Sequence, residues 1–300
     1  MSKDPIISLF CPAIHPELWM RVYNSLSSNT VPFELIFVGN KIPNFKLPEN
    51  CHFIYSETKP AQCAEIGSRY AVGDLIMNFA DDEVFSEHAL DNLYEEFEKI
   101  NDDKIILSCR YILNGKDIAA EAGYFWADDH NSPIVPLTNL MRKKTWRKIG
   151  GVDRNFIALN WSLDIAMRIY EIGGRVVVSK NAWAEELQPE SGPWKRKPEI
   201  IKGILRTFPL LRRMLIKIYL FFKKEKTNPR LFMEFGIGSD GPFLEKLWVI
   251  KDNSENIPMD LIHCANTKKG ILSKKRLAPV MPFEDKHILT VSQGPKGRWK

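Results

Sequence analysis

Asp81, Asp82 and Glu83 close the stretch DLIMNFADDEV (Asp74 to Val84), where an apolar run meets three consecutive acids. Hard carboxylate oxygens suit Mg²⁺ or Mn²⁺, and such ions are commonly held by one or two carboxylates together with substrate phosphates. A run such as LIMNF reads as a strand buried on both faces, as in the middle of a parallel sheet. Ligands of open α/β sheets bind in the crevice outside the carboxyl ends of such strands. The three acids therefore fall where a site would be. A plainer reading makes them the capping acids of a solvated turn. Against it, Ser86 is expected to be the N-cap of the helix SEHALDNLYEEFEKI, so the acids are not needed for that purpose.

The elements that must position these acids alternate strand and helix through the first two-thirds of the chain. That pattern implies a mainly parallel sheet with right-handed crossovers. IISLFC, from Ile6, is the first strand, and Pro16 opens a helix whose Leu18, Trp19, Val22, Tyr23 and Leu26 share one face. FELIFV from Phe33 and CHFIY from Cys51 are further strands. Pro60 opens the helix AQCAEIGSRYAVG, with Gly73 as its expected end. KIILSC from Lys104, NLMRK around Asn139 and RVVVS from Arg175 complete the strands, with a helix from Ser162 to Ile172 between the last two. The sequence from 111 to 138 reads as loops with short strands.

The 300 residues suffice for one large α/β domain or two smaller ones, and the aromatic content excludes wholesale disorder. Five scattered cysteines without a CxxC pair argue against a disulfide framework or zinc ribbon and for a reducing compartment. MSKDPIISLF lacks signal-peptide architecture, and no apolar run matches a bilayer's thickness, so the cytosol is the expected location. Charge is unevenly placed. Between Lys195 and Lys226 eleven Lys and Arg face two Glu, a net +9 in a chain whose total is +5.

In order and in kind, these pieces resemble the family 2 glycosyltransferases, which have a GT-A fold. The matching stretches are ISLFCPAIHPELWMRVYNSL, FELIFV, AEIGSRYAVGDLIMNFADDEV, GGVDRNF and LDIAMRIYEIGG, covering about residues 5–185. The resemblance implies a catalytic domain, taken as residues 1–190, and the change of composition from about Glu190 marks 191–300 as a separate C-terminal region. It implies transfer of a sugar, usually with inversion, from a nucleoside diphosphate donor, most often a UDP-sugar, to an acceptor hydroxyl. It also implies a divalent cation, Mn²⁺ or Mg²⁺, at Asp82, which falls at the last position of the family's DxD motif. Ala80 stands where that motif's first aspartate belongs, and Asp81 beside it is the substitute. The loop Pro12, Ala13, Ile14 and His15, together with Gly39, Asn40, Gln62 and Asp81, falls where the family holds the nucleotide. At Glu65 the family often has an arginine.

For the general base the resemblance points to NWSLD. Ser162 occupies the usual base position, and Asp164, two residues on, is the candidate. Asp164 and Arg168 are also spaced i,i+4, which suits an exposed ion pair on a helix. Glu185 and Glu186, following the last strand, are the alternatives, near where the family often has a metal-contacting histidine. Trp161 could stack on an acceptor sugar or be buried. The six histidines show no metal-ligand spacing.

The basic segment, residues 195–226, carries the stripe Leu211, Met214, Leu215, Ile218 and Phe222, with most cations off it. It suits packing on the transferase domain, or docking on an anionic membrane surface that presents a lipid-linked or other glycan acceptor. No nucleic-acid-binding module is recognisable, and nucleic acid is not an expected partner. Two other function classes stand beside the transferase. One is a GT-A-like domain that binds nucleotide, glycan or protein without turnover, suggested by Ala80 and Ser162. The other is a nucleotidyltransferase, which usually carries a basic Gly-rich loop where this chain has CPAIHPELW.

Overall fold

A computed structural model describes residues 4–113, 115–117, 126–127, 133–134, 138–154, 156, 161–186, 248–251, 273–276, 279–284 and 291–292. The chain divides into two compact units, residues 1–187 with 240–300, and residues 188–239. The second, and with it the whole of the basic segment 195–226, lies outside the described residues.

The first half runs β1 (Ile7–Pro12), α1 (Pro16–Ser25), β2 (Phe33–Gly39), β3 (Cys51–Tyr55), α2 (Pro60–Tyr70), β4 (Leu75–Asn78), β5 (Glu83–Phe85) and α3 (Ala89–Ile100). Next come β6 (Ile105–Leu113), β7 (Lys116–Asp117), β8 (Trp126–Ala127), β9 (Pro133–Ile134), β10 (Asn139–Arg142), α4 (Lys143–Lys148), α5 (Trp161–Glu171) and β11 (Arg175–Glu186). Three short strands follow: β12 (Trp248–Lys251), β13 (Ser273–Arg276) and β14 (Val291–Ser292).

One mixed sheet organises the fold, in the order β14-β3-β2-β1-β4-β10-β6-β11-β5, with β7 alongside β6. β1 is central and parallel to β2 and β4, and β3 continues the parallel set. β10 is antiparallel to both β4 and β6, whereas β11 runs parallel to β6. This is the α/β sheet flanked by helices that the alternating pattern led us to expect, but mixed where a mainly parallel sheet was expected, since β5, β7, β10 and β14 pair antiparallel with their neighbours.

Two-residue periodicity sorts the strand side chains onto two apolar layers. Ile7, Leu9, Leu35, Phe37, Leu75 and Met77 meet Trp19 and Val22 of α1 and Leu90, Leu93 and Phe97 of α3. Phe10, Ile36, Val38, Ile76 and Ile106 face the other way, onto Ile66 of α2, Trp146 of α4 and Ile165 and Ile169 of α5. All four β4 residues are buried, as its unbroken apolar run requires.

Several local expectations change. Ser86 is not a helix N-cap. Its N–H donates to the Trp183 carbonyl at 3.0 Å and its Oγ accepts the Trp183 N–H at 3.2 Å, so the residue extends the β5–β11 pairing. α3 starts three residues later, and its cap comes from another element. Asn29 Oδ1 accepts the N–H groups of Leu90 and Asp91 at 2.7 and 3.2 Å, filling the role a local Ser would have had. α2 ends at Tyr70, before Gly73, which instead lies against β1 and donates to Ser8 Oγ at 2.8 Å. β11 does not stop at RVVVS. After an irregularity between Val178 and Trp183 it resumes pairing with β6 and carries Glu185 and Glu186 on the strand itself.

Part of the C-terminal sequence returns to this sheet. Met281 exchanges bonds with the turn after α4: Arg154 N–H donates to its carbonyl at 2.9 Å, and its own N–H donates to Asp153 Oδ2 at 3.1 Å. Phe283 enters the α2/α5 apolar layer, and its carbonyl accepts a hydrogen bond from Arg69. β14 pairs antiparallel with β3. Among the described residues no helix is long and apolar enough to cross a membrane.

Candidate functional site

Chain direction places the carboxyl ends of β1, β2, β3 and β4 along one edge. Pro12 aligns with Val38, and Gly39 with Tyr55. The strand ends are tied together, since Ala13 N–H donates to Val38 O at 2.8 Å and Ser56 N–H to Gly39 O at 2.9 Å. Gly39 must lack a side chain, because a Cβ there would lie 1.8 Å from the Ala13 carbonyl oxygen. Along this edge Pro12 and His15 are half-buried, Ala13 is buried and Asn40 is exposed, while Gln62 sits half-buried in the first turn of α2. The residues expected to hold the nucleotide thus lie at this edge of the sheet or, for Gln62, at the start of the helix that follows it.

The acids follow β4 at the same edge, and each has a different environment. Asp81 is buried, and its Oδ2 accepts three donors: the backbone N–H of Ile14 at 2.7 Å, that of His15 at 2.6 Å and the Trp19 indole N–H at 3.1 Å. Asp82 is half-buried, and Arg21 donates to its carbonyl oxygen at 2.8 Å. Burial, then the neighbouring charges of Glu186 and Asp81, push its carboxyl up to about 6. Glu83 is fully buried under a 2.6 Å hydrogen bond from the Thr138 hydroxyl, and burial pushes it up to about 8.

Glu186 joins this group from the far side of the sheet. It pairs with Glu83 in the β5–β11 register, and the Tyr111 hydroxyl donates to its Oε2. Burial, then the charges of Glu83 and Glu186, hold the Tyr111 hydroxyl well above the ordinary phenol range. Glu185, opposite Val84, accepts the Gly115 N–H at 3.0 Å. Glu83 and Glu186, 103 residues apart in sequence, therefore lie side by side beyond β4, and Glu186 is close enough for its charge to act on Asp82.

Two expected site residues lie elsewhere. Asp164 and Arg168 do form their i,i+4 pair, but it is buried, not exposed: Asp164 has 0% accessibility. Arg168 Nε donates to Asp164 Oδ2 at 2.9 Å, and the other guanidinium nitrogens donate to Ile149 O at 2.6 Å and Gly151 O at 2.7 Å. The pair grips the Gly150-Gly151 turn. Glu65, where the family often has an arginine, holds the same turn from α2. It accepts the Val152 N–H at 3.0 Å and pairs with Arg69 at 2.7 Å. Gly151 has φ +64°, and a Cβ there would lie 2.5 Å from Glu65 Oε2, so glycine is required on both counts. Trp161 is buried edge-on to Trp146, with ring centroids 6.4 Å apart, within the α2/α5 layer.

Among the described residues no three His, Cys, Asp or Glu side chains form a metal cage by themselves. The donor set nevertheless fits a hard divalent cation that shares its shell with a phosphate. Asp82 offers carboxylate oxygens, and Glu186 and Asp81 concentrate negative charge around it. Arg21, Trp19, Tyr111 and Thr138 shape the site and have no sequence signature. Each acts through a partner more than 20 residues away.

No protein-family model matches the sequence, and no curated protein matches it. Solved structures show a limited likeness. TarS of S. aureus aligns at 15% identity with a TM-score of 0.49, covering 61% of this chain and 36% of that one. TarS 1-349 in complex with UDP-GlcNAc aligns at 14% identity and TM-score 0.49, covering 68% of this chain and 65% of that one. GalNAc-T7 with UDP, GalNAc and Mn²⁺ aligns at 12% identity and TM-score 0.49, covering 61% and 43%. This chain thus spans less than two thirds of the length of each, and at these levels the likeness assigns no activity.

Proposed function

We propose that the chain is a glycosyltransferase that moves a sugar from a nucleoside diphosphate donor, a UDP-sugar, to the hydroxyl of a glycan or lipid-linked acceptor, with inversion and a divalent cation. One observation carries this reading: Asp82 and Glu186 converge beyond the carboxyl end of β4, beside the strand-end crevice formed by Pro12, Ala13, His15, Gly39 and Asn40. Asp82 is the residue that would hold Mn²⁺ or Mg²⁺, and a cation there supplies the positive charge that a departing diphosphate needs. Of the three carboxylates considered for the general base, Asp164 faces Arg168, whereas Glu186 lies opposite Glu83, the residue after Asp82, in the β5–β11 register. We assign the base to Glu186, with Tyr111 fixing its carboxylate and Glu185 holding the neighbouring turn at Gly115. A peripheral membrane contact through residues 195–226 belongs to the same reading.

The test is calorimetric titration with UDP and with GDP, each with and without Mn²⁺, on the wild type, Asp82→Asn and Glu186→Gln. One nucleotide should bind in a Mn²⁺-dependent way that Asp82→Asn abolishes. Glu186→Gln should keep that binding and lose turnover with the matching nucleotide-sugar. No metal-dependent binding of either nucleotide would sink the donor site. The burial of Asp164 favours a second reading, a binding domain without turnover. That reading predicts nucleotide binding with neither transfer nor donor hydrolysis in the wild type.

A further inference from the structure

Asp81 is expected from the sequence to touch the nucleotide, but its surroundings in the structure are specific and lie within the protein. A single oxygen, Oδ2, receives the N–H groups of two consecutive residues, Ile14 and His15, and the indole N–H of Trp19. Those two amides immediately precede α1, at the positive end of the helix dipole, where an anion is ordinarily welcome. Here the anion belongs to the protein. Trp19 is rigid, fully buried and stacked on Phe37 with ring centroids 4.3 Å apart and planes 6° from parallel. On its other side the loop is fastened by Ala13 N–H to Val38 O and by the close pass of Gly39.

We infer that Asp81 is a positioning residue: it fills the anion position at the start of α1, so the Pro12–His15 loop is set to receive the nucleoside and not the phosphates. The nucleoside half of this statement rests on the proposed donor site. The half concerning the loop does not. With both amides turned inward onto Asp81, neither is left to bind a ligand's phosphates, so the loop is suited to the uncharged part of the donor. The diphosphate is left to the Asp82 end of the site. Asp81 and Asp82, though adjacent, thus govern different parts of one ligand.

The experiment compares Asp81→Asn with Asp82→Asn, using uridine as a probe without phosphate and UDP as a probe with it. Asp81→Asn should weaken uridine binding at least tenfold, equally with and without Mn²⁺, whereas Asp82→Asn should leave uridine binding unchanged and remove only the Mn²⁺-dependent part of UDP binding. If Asp81→Asn binds uridine as the wild type does, or loses only Mn²⁺-dependent affinity, the inference is overturned. Hydrogen exchange supplies a readout that needs no ligand. The Ile14 and His15 amides should exchange at least tenfold faster in Asp81→Asn, and the Trp19 indole N–H resonance should move. Unchanged exchange would overturn the inference even if no nucleotide bound, and faster exchange with no nucleotide binding by the wild type would sink the donor site alone. Should Asp81→Asn fail to fold, Trp19→Phe, which removes one of the three donors and keeps the carboxylate, should speed exchange at Ile14 and His15, and no change there would count against the inference.

Discussion

At the scale of single residues, burial decides what each group can do. Asp164 has the spacing of an exposed helix pair and the position of a base, yet it is enclosed with Arg168, which itself holds two carbonyl groups of the glycine turn. Removing one member of a buried pair strands the other, at a cost of about 3–5 kcal/mol. Asp164→Ala should therefore lower unfolding free energy by that order, read from urea denaturation, while nucleotide affinity of the folded fraction stays within twofold. A variant of wild-type stability without turnover would instead mark Asp164 as the base. Burial acts on the thiols too. It pushes Cys51 up to about 12, and Cys11, Cys63 and Cys109 also rise. An unfolded thiol ionises near ~8.5, so between there and about 12 the folded chain retains a proton at Cys51 that the unfolded chain has lost. Stability then falls as pH rises through that window, by about 1.4 kcal/mol per pH unit for this thiol. Denaturant midpoints at pH 7.5 and 10 should drop more for the wild type than for Cys51→Ala, and equal drops would rule the effect out.

At the scale of elements, the sequence was legible where the burial pattern is local and opaque where a partner comes from afar. ISLFC, FELIF and LIMN display their strands because consecutive side chains are buried on both faces, and Pro16 and Pro60 mark the helices they open. The placing of Asp81, Asp82 and Glu83 just beyond β4 was legible for the same reason: acids ending a doubly buried strand have few places to go. Ser86 misled because a serine before an amphipathic run is a sound local signal. A strand pairing with Trp183, nearly a hundred residues away, overrides it. The extension of β11 was hidden by the polar stretch Ser179-Lys180-Asn181, where Ser179 Oγ accepts the N–H groups of Asn181 and Ala182 and keeps an irregular turn within the strand. The helix cap supplied by Asn29 belongs to this scale as well. Asn29→Ala leaves two first-turn amides of α3 unmatched and should cost about 1 kcal/mol, measured by urea denaturation, whereas Ser86→Ala, if Ser86 were the cap, would cost as much while Asn29→Ala cost nothing.

At the scale of the whole molecule, the sheet domain is completed by sequence that composition alone assigned to a separate C-terminal region. Phe283 fills the α2/α5 layer, Met281 bonds to Asp153 and to Arg154, and Val280 lies over Gly150. Nothing local in the Lys- and Pro-rich tail announces these contacts, since each depends on residues more than a hundred positions earlier. Deleting residues 279–300 should lower the thermal midpoint by several degrees, in keeping with the loss of a buried aromatic side chain worth about 3 kcal/mol. An unchanged midpoint would show the tail to be dispensable. β14 gives the same deletion a second effect. The strand covers the Ile54–Tyr55 end of the β3 border of the sheet, and without it the whole of β3 would be an open edge. Such a border is a template on which any extended chain can lay itself. If that cover matters, the shortened protein should form concentration-dependent assemblies while its remaining strands are still folded, and a protein that stays monomeric would show the border to be safe without it.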